Sequence, residues 1–149
     1  MSRDANSNDD GNKPPLVAIV DDEEDITTFL GLALEDVGYE VVTINESAEA
    51  LATLRMRPPD LICLDLLMPH RTGASLYVEI TADSQLATIP VLILSGLNAR
   101  ELLHDILQGE GAEASPDGYL EKPIETEPFL AKVRELLARN GRTPERAQP

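Results

Sequence analysis

Cysteine is almost missing from this sequence: Cys63 is the only one in 149 residues. It has no partner for a disulfide and no metal-ligand spacing around it. It stands inside an apolar run, so it reads as a small core residue. Positive charge is scarce too. Twelve Lys and Arg stand against 27 Asp and Glu, a formal net charge of −15. That balance argues against a binder of phosphate backbones, whose affinity rests on basic side chains, so direct nucleic-acid contact is not expected. Long apolar runs are also lacking: none approaches the ~20 residues that span a bilayer. The N-terminus, MSRDANSNDDGNKPP, is polar and acidic where a secretory signal would be apolar. The expectation is a cytoplasmic chain with no membrane insertion.

What is present is enough for one domain. With 42% hydrophobic residues, the chain can bury one core but is too short for a second sizeable one. Strand-like and helix-like patterns take turns along it. LVAIVD (16–21) is a short apolar run, and Ile26, Phe29, Leu30, Ala33 and Val37 then recur at helical spacing up to Gly38, a helix C-terminal signal. YEVVTI (39–44) is β-branched, and SAEALATLRM (47–56) is helical until Pro58 and Pro59. The alternation continues through LICLDL (61–66), a helix over 74–82, PVLILS (90–95), a helix over 100–107, GYLEK (118–122) and a last helix carrying Phe129, Val133 and Leu137. Five such units imply an α/β domain with a parallel sheet covered on both faces. Residues 14–140 form this domain, with an acidic tail at 1–13 and a C-terminal tail at 141–149, both read as disordered.

Right-handed crossovers bring the C-terminal end of every strand to one edge of the sheet, where ligands bind. The polar residues at those ends are therefore the candidates. The first strand ends in Asp21 and Asp22, the third in Asp65, the fourth in Ser95, and Lys122 closes the fifth. A carboxylate buried alone is costly, but Asp65 has company here. Asp21 and Asp22 can hold a hard divalent cation beside it, and Lys122 supplies a positive charge. An oxygen-only donor set suits Mg²⁺. Each element also has a plainer reading. Asp22 or a neighbour can cap the first helix, Ser95-Gly96 can be a turn, and Lys122 before Pro123 can be a solvated loop residue. Their occurrence together, each at the same end of a different strand, is what favours a site.

At these residues the sequence resembles the receiver domain of two-component response regulators. The matching stretches are IVDDE, LDLLMP, LSG and YLEKP, within about residues 16–140. The resemblance implies a flavodoxin-like doubly wound fold of five parallel strands in the order 2-1-3-4-5. It implies that Asp65 is the phosphoacceptor, and that Mg²⁺ is held by Asp22, Asp65 and the backbone carbonyl of Leu67, with Asp21 reaching it through water. Lys122 and Ser95 would contact phosphoryl oxygens, and Ser95 and Tyr119 would act as the switch. Tyr119 read without the family is a rim residue with its hydroxyl in water. The implied donor is a sensor histidine kinase or a histidine phosphotransfer protein. The implied output is protein–protein contact, with no enzymatic activity beyond the chain's own phosphorylation and dephosphorylation.

The sequence departs from the family pattern at GEGAEASPDG (109–118), a long connection before the fifth strand, and at the apolar pair Leu66–Leu67 after the acceptor. His70 and His104 read as exposed. The short tail after the last helix suggests a stand-alone receiver, the alternative being a fragment of a longer regulator. A small Mg²⁺-dependent phosphatase of the haloacid-dehalogenase type is a further alternative. It calls for an acid two residues after the nucleophile, where this chain has Leu67.

Overall fold

The computed structural model describes residues 13–66, 73–96, 99–110 and 116–139. The expectations for Leu67, for His70, for both tails beyond Lys13 and Arg139, and for residues 111–115 lie outside these. The described residues form β1 (Leu16–Val20), α1 (Glu24–Asp36), β2 (Glu40–Ile44), α2 (Ser47–Met56), β3 (Leu61–Asp65), α3 (Gly73–Ala82), β4 (Val91–Ser95), α4 (Ala99–Glu110), β5 (Gly118–Glu121) and α5 (Thr126–Arg139). All four strand pairings are parallel, in the order β2-β1-β3-β4-β5. This is the doubly wound 2-1-3-4-5 order the resemblance implied.

The apolar character of β1, and of β3 and β4 up to their last residues, follows from burial on both faces. Ala18, Val20, Ile62, Leu64 and Ile93 face one side and pack with Leu54, Leu76, Ile80 and Leu103, from α2, α3 and α4. Val17, Ile19, Leu61, Cys63, Leu92 and Leu94 face the other side and pack with Leu30, Leu34, Phe129, Val133 and Leu137, from α1 and α5. Each fully buried Leu or Ile contributes about 1.5–3 kcal/mol, so the two layers together fix the sheet. Cys63 is fully buried, and burial pushes its thiol pKa up, as fits a core residue.

Helix α1 differs from the sequence reading in one respect. Its buried stripe is Thr27, Leu30, Gly31 and Leu34, whereas Phe29 is 48% exposed. At 100° per residue Phe29 falls beside the stripe that meets the sheet. The helix stops as expected: Gly38 has φ 104°, open to glycine at little cost, and the amides of Gly38 and Tyr39 donate to the carbonyls of Glu35 and Leu34.

The two edges of the sheet are finished differently. At the N-terminal edge, carboxylates accept from strand amides: Leu16 N–H donates to Asp60 Oδ2 at 2.8 Å and Val91 N–H to Asp117 Oδ2 at 2.9 Å. At the C-terminal edge Gly73, the first residue of α3, lies against the end of β3. A Cβ built on Gly73 would fall on the backbone carbonyl of Asp65, and the Gly73 amide donates to the Leu66 carbonyl at 2.7 Å. Only glycine permits that approach.

Candidate functional site

Every strand sends a polar residue to the C-terminal edge. Asp21 follows β1 and is fully buried; Asp65 and Ser95 are the last residues of β3 and β4, each 3% exposed. Asp22 is half-buried beside Asp21. Lys122 lies one residue past β5, where its amide donates to the Ser95 carbonyl at 2.7 Å and so continues the β4–β5 ladder by one rung. Asn45, one residue past β2, completes the set.

The side chains converge. Asp21, Asp22 and Asp65 each offer a carboxylate oxygen, and the three lie within 4.8 Å of one another. Lys122 Nζ donates to Asp21 Oδ2 at 2.9 Å and lies 3.4 Å from Asp65 Oδ1; Glu23 Oε1, on an exposed side chain, is 3.8 Å away. Burial works against the Lys122 charge, but the hydrogen bond it donates to Asp21 and the fields of Asp65 and Asp21 outweigh it, so its pKa is raised. Three carboxylates against one ammonium leave two formal negative charges in a mostly buried cluster. Carboxylates packed this closely repel one another unless a cation joins them. An all-oxygen donor set with a two-charge deficit fits a hard divalent ion.

Of the plainer reading, in which Asp22 or a neighbour caps the first helix, the structure gives the amide contact to the neighbour Asp21 and not to Asp22. The N-cap of α1 is Glu23, which makes no side-chain cap bond, and Asp21 Oδ1 instead accepts the Glu23 amide at 3.0 Å. Asp22 is left facing the cluster.

Tyr119 lies mid-strand in β5, paired in register with Ile93. Ser95, two residues beyond Ile93, therefore shares its face of the sheet. The Tyr119 ring is half-buried, and the Arg100 guanidinium stands over it, 4.2 Å from the centroid. Burial raises the Tyr119 hydroxyl pKa and Arg100 partly offsets this. His104 is exposed on α4, as expected.

Two residues at this edge were not singled out from the sequence. Asn45 Nδ2 donates to the Asp21 carbonyl at 2.8 Å and to Thr27 Oγ1 at 3.0 Å. The strand-end rule that found Asp65 would also have found Asn45, had it been applied to the second strand. Arg100 carried no sequence signal, since its contact with Tyr119 depends on the packing of α4 against β5.

The chain matches the family profile described as response regulator receiver domain over residues 17–134. It is 35% identical over 134 residues to the DNA-binding dual master transcriptional regulator RpaA of Synechocystis, covering 90% of this chain and 54% of the relative. It is 30% identical over 125 residues to the phosphate regulon transcriptional regulatory protein PhoB of Pseudomonas aeruginosa, covering 84% and 52%. The chain thus spans about half the length of the curated relatives it matches. Among solved structures, the chemotaxis protein CheY4 of Vibrio cholerae superposes with a TM-score of 0.71 at 30% identity, over 83% of this chain and 98% of that one. A putative response regulator from Chloroflexus aurantiacus does so with a TM-score of 0.73 at 30% identity, over 85% and 100%. Among the described residues no helix is long and apolar enough to cross a membrane.

Proposed function

Because the chain belongs to the response regulator receiver domain family, and so to phosphorelay signalling, we propose that Asp65 is its phosphoacceptor. The observation that carries this is the placement of Asp65. It ends the central strand β3, with Asp21 and Asp22 on one side and the Lys122 ammonium 3.4 Å away. A carboxylate is already ionised at neutral pH and needs no base to attack phosphorus.

In the proposed reaction an Oδ atom of Asp65 forms the new O–P bond while the P–N bond of a phosphohistidine on a sensor kinase or phosphotransfer protein breaks. The bonding pair returns to the imidazole. Asp22 and Asp65, with the Leu67 carbonyl, would hold Mg²⁺ directly, and Asp21 would act through water. Bound there, the ion would supply charge neutralisation for the equatorial phosphoryl oxygens. Lys122, held at the edge by its own backbone bond to Ser95, presents a fixed ammonium to the same oxygens. Ser95 offers a hydroxyl to another, on the face it shares with Tyr119, and together these two would pass the change to the surface of α4, β5 and α5. The chain then acts on no external substrate, and its output is protein contact, in the cytoplasm. The curated relatives are named as DNA-binding or transcriptional regulators. The expectation that nucleic acid plays no part is therefore not extended to the whole protein.

Incubation with acetyl phosphate and Mg²⁺ tests the assignment. Intact-mass measurement should show one added phosphoryl group on the wild type and none on Asp65→Asn. Equal labelling of both would overturn it.

A further inference from the structure

We infer that Asn45 is a positioning residue that sets the geometry of the acidic pair Asp21–Asp22. The inference rests on the metal reading of that pair and concerns what holds it in shape.

Each polar group of Asp21 has a partner. Its amide donates to the Ile44 carbonyl at 3.0 Å, its Oδ1 accepts from the Glu23 amide at 3.0 Å, and its Oδ2 accepts from Lys122 at 2.9 Å. Its carbonyl accepts from Asn45 Nδ2 at 2.8 Å. The same nitrogen donates its second hydrogen to Thr27 Oγ1 at 3.0 Å, and that hydroxyl, 2% exposed, donates to the Glu24 carbonyl at 3.1 Å. A primary amide has two N–H hydrogens, and here both are used. One atom therefore ties together the end of β2, the acidic loop and the first turn of α1.

The bond to the Asp21 carbonyl matters for Asp22. That carbonyl and the Asp22 amide share one peptide plane, so fixing its tilt fixes the position of the Asp22 Cα and leaves only rotation about the N–Cα bond to redirect its side chain. Asp22 supplies one of the three oxygens that lie within 4.8 Å. Released from Asn45, the plane is free to rotate and the spacing widens. No metal ligand is lost in the process; what is lost is the orientation of one, the role that outer partners play at metal sites.

Asn45→Asp separates this role from simple charge. The substitution keeps the side-chain shape, removes both donated hydrogens and adds a negative charge near the cluster. Charge alone would tighten Mg²⁺ binding, whereas loss of positioning weakens it. Mg²⁺ affinity, read by calorimetric titration, should fall about 10-fold in Asn45→Asp and in Asn45→Ala. Hydrogen exchange at the Asp22 and Glu23 amides of the metal-free protein should quicken in both. Thr27→Val, which detaches the same nitrogen from α1 while preserving volume, should weaken Mg²⁺ in the same direction by a smaller factor, and it carries the test if an Asn45 variant does not fold. Asp22→Asn serves as the reference. If it binds Mg²⁺ as the wild type does, the metal reading fails and the inference with it. If Asp22→Asn loses binding while the Asn45 and Thr27 variants bind as the wild type does, or if Asn45→Asp binds more tightly, the inference alone is overturned.

Discussion

The ammonium of Lys122 donates to Oδ2 of Asp21 at 2.9 Å, joining residues 101 positions apart in the chain. In the metal-free protein this bond does a cation's work: it compensates a fully buried carboxylate and lies within 3.4 Å of a second one on Asp65. Lys122→Met keeps the aliphatic stem and removes the charge. Breaking a buried pair by deleting one partner costs about 3–5 kcal/mol, and Lys122 is part exposed, so a loss of about 2–3 kcal/mol is expected in urea unfolding without metal. Mg²⁺ should restore more stability to this variant than it adds to the wild type. A variant as stable as the wild type without metal would show that the pair is energetically idle.

Mg²⁺ should stabilise the wild-type fold through the same cluster. A ligand that binds only the native state adds RT ln(1 + [L]/Kd), about 1.4 kcal/mol at ten times Kd. For a domain of this size that is a rise of roughly 3–6 °C in melting temperature. Asp22→Asn should lose most of the gain. A wild-type melting temperature indifferent to Mg²⁺ would contradict the metal assignment.

Gly73→Ala should damage both stability and the site. The added methyl would meet the Asp65 carbonyl, backbone that cannot yield as a flexible side-chain tip can. Overpacking of this kind costs about 1–3 kcal/mol, or more where backbone must shift. Urea unfolding measures the first effect and the rate of acetyl phosphate labelling the second. Unchanged values for both would mean that α3 can pull back from β3 freely.

Tyr77 should contribute to the alkaline limb of stability, beside the buried Cys63 thiol, whose pKa burial also pushes up. Burial, followed by the neighbouring Asp117 and Tyr119, pushes the Tyr77 hydroxyl pKa up to about 12. A phenol with a higher pKa folded than unfolded contributes fully below pH 10, and that contribution is lost as pH rises through about 12. The loss should be about 2–3 kcal/mol. Tyr77→Phe should flatten this limb, as read by denaturant midpoints between pH 9 and 12. A limb of equal slope in the variant would assign it to other groups.

The sheet was legible in the sequence because β1 is apolar throughout and β3 and β4 are apolar up to their last residues, a pattern that two-sided burial requires and that no amphipathic helix imitates. The site was legible for the same reason: once the strands are placed, Asp21, Asp65, Ser95 and Lys122 fall at strand ends by counting. What could not be read depends on contacts between elements. Phe29 shares the helical periodicity of α1 yet faces outward, because the angle at which α1 meets the sheet is set by packing. Asn45 after a strand looks like any turn residue until Asp21 and Thr27 are brought to it. Gly73 gives no sign that the Asp65 carbonyl will occupy the space of its missing side chain.

The carboxylates of Asp60 and Asp117 accept strand amides at one rim of the sheet, while those of Asp21, Asp22 and Asp65 crowd together at the other. The same functional group thus serves as mortar on one side and as an instrument on the other, about five residues of strand apart. Substitutions at the instrument rim can retune chemistry without loosening the strand starts, and drift at the mortar rim is felt as lost stability before it reaches the chemistry. A lineage carrying this sheet has two surfaces on which to vary, each under its own constraint.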